Sequence, residues 1–179
     1  MIMMNDFNLL VSSPRFREED AFGEILDLLD AFGDPDAEAE VTRVAGIILA
    51  KTSIHPVTVV EKLKGLVASE PWEIRYVMRV LPIEKVVPAE LEDISGAVGS
   101  MAARIPEDAS FKIMVEKRHS DLHSREIIDY VAQEVKRKVD LENPSWIVLV
   151  EIVGRHAGVS VVTPDKFFSS VVAKRESAD

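Results

Sequence analysis

A chain of 179 residues with 47% hydrophobic and 29% charged side chains has room for one ordinary core or two small ones, which excludes disorder except at its ends. It contains no cysteine, which excludes disulfides, thiolate metal sites and cysteine nucleophiles, and the longest apolar runs fall short of the roughly 20 residues that span a bilayer. The net charge of -10 argues at first against nucleic acid, because phosphate binding draws on clustered Lys and Arg.

Asp6 to Ser12 is a short apolar run closed by Ser-Ser-Pro, and it predicts a strand followed by a turn. From Glu18, the residues Phe22, Ile25, Leu26, Leu28, Leu29 and Phe32 recur mainly at spacings of three and four, so an amphipathic helix runs to Gly33 and Pro35. Glu38 to Ala45 and Gly46 to Thr52 are β-branched runs meeting at a glycine, the pattern of an antiparallel hairpin. His55-Pro56 opens a second helix with Val59, Val60, Leu63, Leu66 and Val67 on one face. Trp72 to Leu81 alternates as a strand, closed by Pro82 and Pro88. The resulting βαββαβ order is the ferredoxin-like pattern, two helices covering one face of a four-stranded antiparallel sheet, within an α/β (α+β) fold class. A first module therefore spans residues 1–88.

The second module, residues 89–179, opens with a helix from Leu91 to Ile105. A strand follows from Phe111 to Val115, a helix from Ser124 to Val139, and strands from Trp146 to Val153 and Gly158 to Val162. Thr163-Pro164-Asp165 caps a short helix or an extended tail.

Charge divides along the same line. Residues 1–95 hold 9 basic and 18 acidic side chains, whereas 111–175 hold 11 and 9. That asymmetry permits the back half alone to meet a polyanion. Its strongest local signal is Lys117-Arg118-His119, which ends a strand ahead of a helix carrying Arg125, a setting that presents cations beside free helix amides. Ordinary solvated loop charges are the competing explanation. Lys136-Arg137-Lys138 either extends a basic surface or complements a helix dipole.

The segment from Phe111 to Val162 resembles a THUMP domain. The likeness rests on the Phe-led strand running into Lys117-Arg118 and on Ser124-Arg125-Glu126 opening a helix. It continues through Val139-Asp140-Leu141 with Asn143-Pro144, Val150-Glu151-Ile152, and Gly158-Val159-Ser160-Val161-Val162. THUMP domains commonly follow a ferredoxin-like module, and residues 6–81 read independently as one. The resemblance implies a tRNA-binding pair of modules that engages the acceptor end and positions tRNA for an enzyme. Among relatives it points to the free-standing group, with a Gly-Val-Ser-Val-Val ending like that of the adaptor that cooperates with an RNA acetyltransferase to form acetylcytidine. The corresponding expectation is a cytoplasmic tRNA-modification adaptor, itself without catalytic residues.

On that implication Lys117, Arg118, Arg125 and Arg155 neutralise phosphates, and His119 or His156 meets a sugar or base edge. A metal reading of His119 and His123 lacks a third ligand, and Asp27 with Asp30 reads as the solvated face of a helix. Ser12 and Ser13 have no base or oxyanion motif, and neither a phosphate loop nor a dinucleotide fingerprint is present, so no cofactor is suggested. An aromatic content of 6% favours backbone and shape recognition over stacking. The alternative function is a regulatory or oligomerisation module with a ferredoxin-like sheet and no RNA affinity, of unknown oligomeric state.

Overall fold

The first strand, β1 (Leu9–Ser12), lies inside a sheet because both its neighbours, though distant in sequence, pair with it antiparallel along its whole length. The protein is described from a computed structural model over residues 4–178. Two units emerge: residues 4–83 with 165–178, and residues 84–164.

In the first unit, α1 (Glu18–Ala31) starts with Glu18, Glu19 and Asp20 in its first turn, where carboxylates complement the helix dipole. The hairpin of β2 (Glu38–Val41) and β3 (Ile47–Lys51) follows, then α2 (Pro56–Ser69). Proline at the start of α2 needs no amide partner, and His55 Nδ1 caps the helix by accepting the Val57 N–H at 3.2 Å. The unit's last strand before the second unit is β4 (Arg79–Pro82). The sheet order β4-β1-β3-β2, all antiparallel, is ferredoxin-like, as the pattern predicts. Leu9, Val11, Ile48, Ala50 and Val80 pack with Ile25, Leu29, Val60 and Leu63 of the helices. Each such large side chain contributes about 1.5–3 kcal/mol on burial.

The strand expected from Trp72 to Leu81 is present only at its end. Pro71–Glu73 is a 3-10 turn, and the Glu24 carboxylate of α1 accepts the amides of Arg75, Tyr76 and Val77 at 3.0–3.1 Å. Those donors are therefore satisfied by a side chain rather than a neighbouring strand, and pairing begins only beyond them.

The second unit is a mixed sheet ordered β5-β9-β8-β6-β7. Its elements are β5 (Lys85–Pro88), α3 (Leu91–Met101), β6 (Ser110–Arg118), α4 (Ser124–Ala132), β7 (Lys138–Val139), β8 (Trp146–Val153) and β9 (His156–Val162). β6 runs parallel to both β7 and β8, and the remaining pairs are antiparallel. Ile94, Val98, Ile127 and Val131 of the helices bury against Phe111, Val148, Val150 and Val159.

Three expectations change here. The helix expected over 124–139 stops at Ala132, because Glu134 and Val135 donate to carbonyls three residues back and Arg137 clasps the Ile105 and Pro106 carbonyls at 2.9 and 3.0 Å. That draws Lys138 and Val139 out to pair with Ser110 and Phe111. The helix expected over 91–105 ends at Met101 and tightens into a 3-10 turn at Ala102–Arg104.

The third concerns the modules. A division into 1–88 and 89–179 misplaces both ends of the second unit: β5 pairs with β9, and residues 165–178 return to the first unit. There β10 (Phe168–Ser169) adds a fifth strand beside β4, Phe168 is completely buried in the first core, and α5 (Ser170–Ala178) follows. Burying that ring outweighs continuity of the chain.

Candidate nucleic-acid interface

Because β6 and β8 are parallel, with Arg118 opposite Val153, the end of β6 and the β8–β9 hairpin tip emerge at the same end of the second sheet. α4 starts there too. The Gly154 N–H donates to the Arg118 carbonyl at 2.9 Å, and Gly154 takes a φ of +60°, which glycine adopts without strain. His119, exposed, also turns left-handed at φ +55°.

The loop between β6 and α4 is held by its own side chains. Lys117 Nζ donates to the Leu122 carbonyl at 2.7 Å, and the Ser120 hydroxyl accepts the Leu122 N–H at 3.2 Å. His123 is the residue before α4 and offers no side-chain cap, so the first amides of α4 stay available to an anion. Arg125, whose side chain is 88% exposed, makes a 3.5 Å contact with Asp129, of the weak surface kind.

The predicted residues divide. Lys117, His119 and Arg125 are exposed around one loop, and Arg155 stands exposed at the hairpin tip, where its carbonyl accepts the Ala89 N–H at 2.9 Å. His119 and Arg155 line one cleft of about 750 Å³ together with Pro88, Glu90 and Asp121. Arg118 does something else: it pairs at 2.7 Å with Glu151, whose side chain is 1% exposed, and its own is 20% exposed. Its guanidinium is first the counterion of a buried carboxylate. His156 is half-buried at the start of β9 opposite Pro88, and among the described residues its Nδ1 is buried without a hydrogen-bond partner.

Lys136 and Lys138 do not extend this surface. Lys138 pairs with Ser110, the first residue of the nine-residue β6, which places it roughly 25 Å from Arg118 along the strand. Nor is the unit basic as a whole. Residues 84–164 hold 10 basic and 14 acidic side chains, because Lys166, Lys174 and Arg175 belong to the first unit while Glu84, Glu90, Glu92, Asp93, Glu107 and Asp108 belong to this one. Any attraction for a polyanion is therefore local to the loop end.

Sequence reasoning missed the two carboxylates of the cleft, Glu90 and Asp121, which look like ordinary surface acids until β5 is paired with β9. Asp140, within the Val-Asp-Leu signature, proves to be a turn-former. Its carboxylate accepts the amides of Asn143 at 3.0 Å and Glu142 at 3.1 Å, which hold it below the ordinary aspartate range.

Residues 88–162 match the family model of the THUMP domain, almost the whole of the second unit. The chain is 27% identical over 162 residues to THUMP domain-containing protein 1 of Mus musculus, an alignment covering 72% of this chain and 46% of the mouse protein. Among solved structures it is similar to PH1313 of Pyrococcus horikoshii, with a TM-score of 0.62 and 19% identity over 88% of this chain and 55% of that one. TrmN of Thermus thermophilus is similar with a TM-score of 0.57 and 22% identity, over 86% and 44% respectively. The chain thus spans about half the length of these relatives, and at such identities the solved structures share its fold. THUMP domains are RNA-binding domains of tRNA-modifying proteins.

Proposed function

From the THUMP domain that residues 88–162 form, we propose that the protein is a tRNA-binding adaptor that presents tRNA, through its acceptor end, to a separate modification enzyme. The observation that carries this reading is the gathering of Lys117, His119, Arg125 and Arg155 at one end of the second sheet, beside the uncapped start of α4. Phosphates meet cations and free amides there, and the histidine and cleft lie where a sugar or base edge would follow. A unit without net positive charge suits selective docking of one terminus rather than coating of a helix. The chain supplies binding and orientation, and the enzyme supplies the chemistry. An RNA cytidine acetyltransferase is the partner the Gly158–Val162 signature favours.

The test is an anisotropy titration with whole tRNA, tRNA lacking its 3′ terminal nucleotides, and a DNA duplex, at two salt concentrations. Salt-sensitive binding that is lost on trimming supports the reading. Equal affinity for tRNA and the DNA duplex refutes it, and the edge-pairing or regulatory role takes its place.

A further inference from the structure

Residues 1–83 contain five arginines and three lysines, and the fold sorts them. Arg15 and Arg17 lie in the loop leaving β1, Arg43 in the β2–β3 turn, Arg79 at the start of β4, and Arg75 just before it. All five are at one end of the first sheet, where Ser12 pairs with both Ile47 and Arg79. Lys51 closes β3 at the opposite end, and Lys62 and Lys64 are on α2.

The same end carries Phe16, 90% exposed. It is the third residue of a four-residue turn closed by the Arg17 N–H donating to the Pro14 carbonyl at 3.1 Å, and its φ is +69°. Glycine is the usual occupant of a left-handed third position, because a Cβ there meets the backbone. Phenylalanine is therefore unfavourable for the turn, and at this exposure the ring gains almost nothing from burial. Neither local conformation nor packing accounts for it, which marks the position for function.

The turn is held by hydrogen bonds to its neighbours. Glu18 Oε1 accepts the amides of Phe16 at 3.3 Å and Gly46 at 3.0 Å, and the Ser13 N–H donates to the Gly46 carbonyl at 2.9 Å. Arg17 is engaged with Asp20 at 3.1 Å and lies over the Tyr76 ring. Arg15, Arg43 and Arg79 are exposed, and among the described residues none has a carboxylate within ion-pair distance.

We propose that this end of the first unit is a second RNA contact, for an unpaired nucleotide run. Phe16 stacks on a base while Arg15, Arg43 and Arg79 meet the flanking phosphates. An exposed ring at the same sheet end as guanidinium groups borne by three separate segments suits the alternation of base and phosphate along a single strand, and arginine suits phosphate by its two-pronged geometry. The inference rests on the tRNA-binding reading and adds to it a site in the otherwise acidic unit.

The test measures affinity for a fluorescein-labelled oligouridylate, a duplex RNA of the same length and an unmodified tRNA transcript, using the whole chain. Phe16→Gly relieves the left-handed backbone, so its melting temperature is expected to stay level or rise while oligouridylate affinity falls roughly tenfold, the scale of one stacked base. Phe16→Tyr keeps a ring and is expected to bind like the parent. Replacing Arg15, Arg43 and Arg79 together by alanine makes the salt dependence shallower by about 2 in log-log slope. Wild-type binding to tRNA with unchanged oligouridylate affinity in Phe16→Gly overturns this inference alone. Joint loss of stability and affinity in Phe16→Gly overturns it as well, by making the ring structural. Absence of salt-sensitive tRNA binding in the wild type defeats the tRNA reading and this one with it.

Discussion

Replacing Arg118 by alanine separates two roles that the Lys117-Arg118 pair joins in sequence. Glu151 is 1% exposed and Arg118 20%, with their charged atoms 2.7 Å apart, so truncation leaves a carboxylate inside the protein without its cation. Breaking a buried pair in this way costs about 3–5 kcal/mol. The expected loss lies at the lower end, about 3 kcal/mol, because the Arg118 side chain keeps 20% of its surface in solvent. For a unit of this size that lowers the melting temperature by roughly 12–24 °C. Urea unfolding followed by tryptophan fluorescence measures it, since Trp146 opens β8, which also carries Glu151. The double replacement Arg118→Met with Glu151→Leu removes both charges together and recovers most of the loss, because an apolar pair of similar volume substitutes well for a buried ion pair. A stability within about 0.5 kcal/mol of the parent, with tRNA affinity lost, would show that Arg118 faces phosphate and that the pairing argument is wrong.

Other positions carry their own expectations. Lys117→Ala with Arg125→Ala weakens tRNA binding and makes the salt dependence shallower by about 1.5–2 in log-log slope, whereas Lys136→Ala with Lys138→Ala, at the far end of the sheet, leaves both unchanged; parallel titrations at several salt concentrations compare them. Asp34 is held below the ordinary aspartate range by the Thr52 hydroxyl at 2.6 Å and then the Ser53 amide at 2.8 Å. A depressed folded-state pKa contributes stability above the unfolded value of about 3.9 and loses it as pH falls through the folded value. Asp34→Asn is therefore less stable than the parent at pH 7, with a gap that narrows below about pH 4; no narrowing in pH-dependent denaturation would remove Asp34 as the source. Gly46→Ala is expected to destabilise by about 1–3 kcal/mol, because Gly46 has a φ of +77° and an added Cβ falls 2.9 Å from the Ser13 carbonyl oxygen. Equal melting temperatures for Gly46→Ala and the parent would contradict that geometry.

Much of the fold is legible locally. The three- and four-residue spacing of Ile25, Leu28 and Leu29, the Pro56 start of α2 and the apolar run from Trp146 to Val153 each specify an element through its own neighbours. The βαββαβ order follows, because short connections leave few ways to arrange such elements. The loop end of the second unit was legible for the same reason: Lys117, His119 and Arg125 are close in sequence and stay together in space.

What required tertiary structure is whatever depends on a distant partner. Lys138 and Val139 look like the end of a helix and become a strand because β6 offers an edge. Phe168 looks like a tail residue of the second module and becomes core of the first because β4 has an open edge above an apolar face. Arg118 looks like a phosphate ligand until Glu151, 33 residues away, is buried beside it. The arginines of residues 1–83 are scattered from 15 to 79, and only the antiparallel order of β4, β1, β3 and β2 brings them to the end of the sheet that also carries Phe16. Periodicity reports the face a residue presents within its own element, whereas long-range pairing decides which elements share an edge, and hence which charges must neutralise one another and which remain for a ligand.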